Sequence, residues 1–287
     1  MEQSLIHMRI FLVALKILLL IILLALLTFF TQVGGLILLL SFLSHKFINN
    51  RTESVFWRGF WKTSAFLVLY FFVNIALLPF AARAFNRVPM PVFSEPHVKP
   101  LRLPGCIFNR HYVRPEVRAA VIETAERMQK ESPGVVIQYL DGAFPLINHF
   151  PLWPHRSHGD GKKLDIAFHY LDVKTKKPVV DAPSFLGYGI SEKPRPGESD
   201  FPLICGTDGH WQYNILDEII PQGNHKNFIF DSTRTALLVN KFAASKTIDR
   251  ILIEPHLKTR LGITSKKIRF HGCRAIRHDD HIHVQMK

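Results

Sequence analysis

From Ile17 to Leu43 the chain carries no charged side chain, and nearly every residue there is Leu, Ile, Phe, Val, Ala or Gly. A helix over that stretch exceeds the roughly 20 residues needed to cross the hydrocarbon core of a bilayer. A soluble core helix of such length keeps a polar face, which this run lacks. A second uncharged apolar run covers Thr63 to Ala82 and is again about one bilayer long. Gln32, Gly34 and Gly35 interrupt the first run, which leaves two readings: a turn into a short second hairpin arm, or one tilted helix. Residues 1–87 are therefore expected to form a transmembrane anchor of two or three helices in contact with the lipid bilayer.

The loop between the two runs holds Lys46, Arg51, Arg58 and Lys62, with Trp57 and Trp61 suited to an interface belt. Basic loops stay on the cytoplasmic side. Two crossings would place the amino terminus outside and three would place it inside, but in both cases residues after Ala82 emerge outside. A cleaved secretory leader fits poorly, because the apolar stretch is too long and lies too far from the cleavage-like triplet Ala82-Arg83-Ala84.

Both halves of the chain are basic. Up to residue 96 there are eight basic and three acidic side chains, leaving 28 and 20 beyond it, within a formal net charge of +13. Such a charge suits an anionic polymer or nucleic acid. No recognition helix, aromatic stacking platform or basic run accompanies it, so nucleic acid is not expected as a partner. The second half has an ordinary globular composition with many histidines, and three cysteines in 287 residues exclude a disulfide-built mini-scaffold.

Pro89, Pro91, Pro96, Pro100 and Pro104 remove backbone donors and disfavour helix, so residues 88–104 read as an extended spacer and 105–287 as the soluble domain. Arg114-Pro115-Glu116 opens a helix in which Val117, Val121, Ala125 and Met128 share a face. Strands are predicted at Val135 to Leu140 and at Lys163 to Tyr170, where Asp165 points away from Leu164, Ile166, Phe168 and Tyr170. Residues 172–229 read as long irregular loops broken by one helical piece around Tyr213 to Ile220. Asp231-Ser232-Thr233 starts another helix. Arg250 to Ile253 and Lys267 to Phe270 are short strands separated by a helical turn at Pro255 to Leu261, and Ile282, Val284 and Met286 form one face of a last strand. The fold class is α+β: a small antiparallel sheet with flanking helices and long loops, preceded by the transmembrane helices.

Two patches carry the chemistry. One runs from Pro154-His155-Arg156-Ser157-His158 to Asp165; the other is His278-Asp279-Asp280-His281-Ile282-His283-Val284. A period-two strand sets His281 and His283 on one face, about 6 to 7 Å apart along the backbone, opposite the apolar residues. Gly159 and Gly161 permit a tight loop that returns His158 toward the strand bearing Asp165. Two imidazoles and a carboxylate suit a borderline divalent ion and leave a fourth position open, the arrangement of a catalytic zinc site.

A His, six residues, an Asp, and a distant His-x-His at the end of a strand resemble the zinc peptidases grouped with lysostaphin and the D-alanyl-D-alanine metallopeptidases. The penicillin-insensitive murein endopeptidases are the most similar branch, through His155 three before His158 and the stretch HDDHIHV, with Ile253-Glu254-Pro255-His256-Leu257-Lys258 as further support. The resemblance spans about residues 110 to 287. It implies His158, Asp165 and His283 as ligands of Zn2+, His281 as the catalytic histidine that handles the proton or the developing oxyanion, and His155 and His278 as additional site histidines. Joined to the apolar amino-terminal runs, it implies a peptidase anchored in the bacterial inner membrane, with a periplasmic domain that hydrolyses a peptidoglycan stem or cross-bridge amide involving D-alanine. The membrane tether, the HGCRAIR stretch at 271 to 277 and the 172–229 loops depart from that branch. The alternative is a non-catalytic zinc-containing envelope receptor or scaffold.

Among the remaining residues, Asp279 and Asp280 read as acceptors near the site or turn residues, and Arg274 and Arg277 as surface charge or receptors for a substrate carboxylate. Cys205 and Cys273 are the preferred pair if any bridge forms. A zinc-bound Cys273 is disfavoured. The oligomeric state is not readable from the sequence.

Overall fold

A computed structural model describes residues 2–153 and 155–287. The first half is helical: α1 (Glu2–Thr31), α2 (Gly34–Ser41), α3 (His45–Arg51), α4 (Val55–Phe72) and α5 (Leu78–Arg83). Two stretches, Gln3–Thr31 and Val55–Arg83, are long and apolar enough to cross a membrane. Helix α1 starts well before the uncharged run and includes Arg9 and Lys16. The break at Gln32 to Gly35 is a turn, with Gln32 at φ 67°. Gly35 lets α2 fold back onto α1, since a Cβ there would lie 2.1 Å from Thr28 Oγ1. Between α4 and α5 a π-helical turn, Val73–Leu77, precedes Pro79, which has no N–H to donate to a regular ladder.

The far end of α1 rests on the soluble half. Asn109 donates to the Thr31 carbonyl at 3.2 Å, and Gln32 accepts from the Leu146 N–H at 2.7 Å. Helix α5 also leads into the soluble half. If α1 and α4–α5 both cross and both deliver their carboxyl ends to one side, the chain must return between them through Gly34 to Arg51, about 27 Å of helix. That geometry puts the amino terminus on the side opposite the soluble half.

The second half contains β1 (Val88–Pro89), β2 (Val98–Pro100), α6 (Leu103–Ile107), β3 (Tyr112–Val113), α7 (Pro115–Glu131), β4 (Ile137–Tyr139), β5 (Lys163–Ala167), β6 (Tyr170–Asp172) and β7 (Pro178–Val179). These are followed by α8 (Phe201–Thr207), α9 (Trp211–Ile219), β8 (Phe228–Phe230), α10 (Ser232–Ala244), β9 (Ile248–Leu252), α11 (Pro255–Arg260), β10 (Ile268–Arg269) and β11 (His281–Met286). A six-stranded sheet runs β10-β9-β11-β5-β4-β2, and a three-stranded sheet runs β7-β6-β8. The α+β class holds, but the larger sheet is mixed, because β2 lies parallel to β4 and β10 parallel to β9.

Alternation along β5 and β11 sorts their side chains. Leu164, Ile166, Ile282 and Val284 enter the core with Val117, Val121 and Met128 of α7 and Leu238, Val239 and Phe242 of α10. Asp231 caps α10 by accepting from the Arg234 N–H, as the Asp-Ser-Thr start requires. The other face of the two strands carries Asp165, His281 and His283.

Three local expectations change, and the preferred cysteine pair is met. Residues 88–102 are non-helical, as their prolines demand, while Leu103 and Pro104 already open α6, and the segment is docked rather than free: Val98–Pro100 is a sheet edge, and Met90, Val98 and Leu101 are buried. An edge strand is where proline is tolerated in a sheet. The strand predicted from Lys163 to Tyr170 divides after Ala167 and feeds both sheets, with the His169 N–H turned to Thr235 Oγ1. Residues 172–229 hold α8 and α9 besides loops. Cys205 and Cys273 form a disulfide, which anchors α8 to the segment before β11 and removes Cys273 from any metal shell.

Candidate metal centre

Strands β11 and β5 pair antiparallel with His283 directly across from Asp165 and His281 across from Ala167. Cβ atoms of such cross-strand partners stand about 4.5–5.5 Å apart, so a carboxylate and an imidazole placed there must meet. His283 Nδ1 is 2.9 Å from Asp165 Oδ1.

The third partner arrives on a loop. After His155 the chain makes a tight 3-10 turn, Arg156–Asp160, and leaves it through Gly161 at φ 68°. A Cβ at Gly161 would fall 2.4 Å from the Arg87 side chain, so both the backbone angle and the buried guanidinium require glycine. The turn delivers His158 Nε2 to 3.1 Å from His283 Nδ1 and 3.3 Å from Asp165 Oδ1. His158, Asp165 and His283 form a buried group able to hold a metal ion.

The donor set passes a geometric test. Ligands about 2.0–2.1 Å from a tetrahedral ion lie roughly 3.3 Å from one another, close to these separations of 2.9, 3.1 and 3.3 Å. His158 Nδ1 lies 2.9 Å from the Gly142 carbonyl. Donation to that carbonyl leaves the Nε2 lone pair facing inward, the usual support for a ligating imidazole. Burial opposes ionisation of Asp165, yet the imidazoles of His158, His281 and His155 hold it well below the usual carboxylate range. His283, pushed down to about 4 by burial, is neutral near pH 7.

His281 sits beside this group and outside it. Its Nδ1 pairs with Asp280 Oδ1, and its Nε2 is 3.7 Å from Asp165 Oδ1 and has no partner among the described residues. Burial lowers its proton affinity, but Asp280 and Asp165 outweigh that and raise it to about 9. Asp280 in turn accepts from the Gly189 N–H at 2.5 Å. An oriented imidazole with one free buried nitrogen can move a proton at whatever occupies the space before it.

The additional histidines flank the group. His155 Nδ1 lies 2.9 Å from Asp141 Oδ2 and 3.4 Å from Asp165 Oδ2, while its buried Nε2 has no partner among the described residues. His278 packs its ring 5.1 Å from that of His281 and 5.7 Å from that of His283. Burial, reinforced by those two rings, keeps it neutral. Its backbone N–H donates to Glu254 Oε1.

Three residues that the sequence did not single out complete the surroundings. The Tyr188 hydroxyl donates to Asp165 Oδ2 at 3.0 Å and accepts from the Asp141 N–H. Arg110 clamps Asp141 through two bonds of 2.9 and 2.5 Å. A lone Tyr, Asp or Arg in loop or turn has no periodicity or spacing to mark it. Arg277 binds Asp279, Asp217 and Asn214 and is buried, so it is already engaged and not free to receive a substrate carboxylate. Compared with protein-family models and with curated proteins, the chain matches none.

Proposed function

We propose that this chain is a membrane-anchored, zinc-dependent peptidase that hydrolyses an amide in peptidoglycan stem or cross-bridge peptides, with its soluble half on the periplasmic face of a bacterial inner membrane. The observation that carries the reading is the meeting of His158, Asp165 and His283 beside an oriented His281 whose Nε2 is free. A purely structural site closes its shell with a fourth protein ligand, whereas a catalytic one leaves a position open. Two imidazoles and one carboxylate match the latter.

His158, Asp165 and His283 would hold the zinc ion. When bound, zinc supplies Lewis acidity toward an amide carbonyl and toward water. His281, its raised proton affinity lowered by the charge of the bound ion and its ring held in place by Asp280, could then take a proton at Nε2 from the attacking water and return it to the leaving amine. The Tyr188 hydroxyl fixes the second oxygen of Asp165, so that Oδ1 keeps its orientation. The basic soluble half, 28 Lys and Arg against 20 Asp and Glu beyond residue 96, favours an anionic wall polymer.

The test is digestion of isolated cross-linked muropeptides by the purified full chain, with bound metal quantified. The expected result is release of amine and carboxyl termini that stops with chelator and returns with zinc. His281→Ala should keep zinc and lose release. Stoichiometric zinc with no product from the unaltered chain would instead support the receptor or scaffold reading.

A further inference from the structure

The segments of the soluble half that touch or adjoin the helical half, through Tyr70 on Ile107 and Gln32 on Ile147, expose Phe85, Leu103, Ile107, Phe108, Ile147 and Trp153, each between 42% and 64% exposed. Soluble surfaces rarely gather such side chains without a partner. Their neighbours identify the partner. The Phe108 ring is 6.5 Å from that of Phe30 in α1, and the Ile107 carbonyl accepts from the Tyr70 hydroxyl of α4 at 2.7 Å. Phe150 borders a cleft shared with Leu24, Leu36 and Leu39. Leu24 lies seven residues before the end of α1, about 10 Å along the helix axis, so Phe150 reaches apolar helix that a bilayer would cover.

We infer that these side chains form a collar seated in the outer interfacial layer of the bilayer, continuous with the surface of α1 and α4. Trp, Phe and Leu are the side chains that settle there. Its consequence follows from chain connectivity. The loop that supplies Ile147, Phe150 and Trp153 to the collar continues within a few residues into His155 and His158. Arg87 ties that loop back to the end of α5 through Asn148 Oδ1 at 2.6 Å and the Gly159 carbonyl at 3.2 Å. The metal group is thus held at the membrane surface rather than on a tether. Resting on the peptidase reading, the preferred substrate is a stem-peptide amide presented at that surface on a lipid-anchored glycan or peptide.

The test places the full chain in nanodiscs of lipids brominated high on their acyl chains, with Trp57, Trp61 and Trp211 replaced by Phe so that Trp153 alone emits. At least a twofold loss of emission relative to unbrominated nanodiscs is expected. A second probe, Phe108→Trp with Trp153→Phe in the same background, should respond equally. Failure of either folded protein to be quenched overturns the collar. In unaltered protein, a stem peptide on a lipid anchor should be cut at least tenfold faster than the same free peptide. Equal rates would overturn the inferred presentation. Absence of cleavage for both would reject the peptidase reading, and the substrate class with it, while quenching still decides the collar.

Discussion

The Nε2 atom of His158 stands 3.1 Å from Nδ1 of His283, across 125 residues of sequence. Both nitrogens also face Asp165 Oδ1. Three buried acceptors gathered so closely compete for few protons, and a cation relieves that competition.

Tyr188 should matter to the metal through Asp165, while its hydroxyl also accepts from the Asp141 N–H. Tyr188→Phe removes the hydroxyl that bonds Oδ2 but keeps the ring against His155 and His281. Loss of such a supporting bond lowers metal affinity about 10- to 100-fold. Competition with a chromophoric chelator measures this, and an unchanged affinity would remove Tyr188 from the site.

Asp141 is predicted to be structural. Asp141→Asn deprives the largely buried Arg110 of its charge partner and takes a bond from His155. Breaking a buried pair costs about 3–5 kcal/mol. Denaturant unfolding of the full chain in detergent should show a loss of that order, and Arg110→Lys a smaller one.

Acid should weaken the fold through His169. Burial, its largest influence, pushes this imidazole down to about 4, below the value near 6.5 of an unfolded chain. Between those values the unfolded state binds more protons. Stability from a neutral His169 is therefore complete above pH 6.5 and is lost as pH falls toward 4, by about 2 kcal/mol at pH 5. In His169→Gln that dependence should disappear, narrowing its gap to the unaltered protein on acidification. A gap constant with pH would refute the assignment.

The disulfide closes a loop over a sequence separation of 68, worth about 4 kcal/mol in chain entropy. A Cys205→Ala, Cys273→Ala double variant should unfold at a lower temperature and expose residues 201–220 to protease first. Unchanged proteolysis there would contradict a role in anchoring α8.

The site was legible where side-chain type and backbone period coincide. His281 and His283 alternate with Ile282 and Val284, so one face had to be imidazole and the other core. Asp165 opposes Leu164 and Ile166 in the same way. Pairing of the two strands then brings Asp165 to His283, a register that neither strand specifies alone. The turn at Gln32 was one of two open readings, because Gly35 serves a hairpin and a tilted helix alike until Thr28 is seen against it. The docking of Val98–Pro100 was hidden, since prolines write the same pattern in a free spacer and in a sheet edge. Tyr188 lies in a loop without periodicity, and its hydroxyl reaches Asp165 only through the fold.

The most direct measurement is metal content of the purified full chain and of its His283→Ala variant after equilibration with zinc and removal of excess ion. One zinc per unaltered chain, with loss from His283→Ala despite retained folding by circular dichroism, is the predicted result. A folded, unaltered chain that holds no zinc, or a variant that holds as much, would contradict the metal centre on which the function rests.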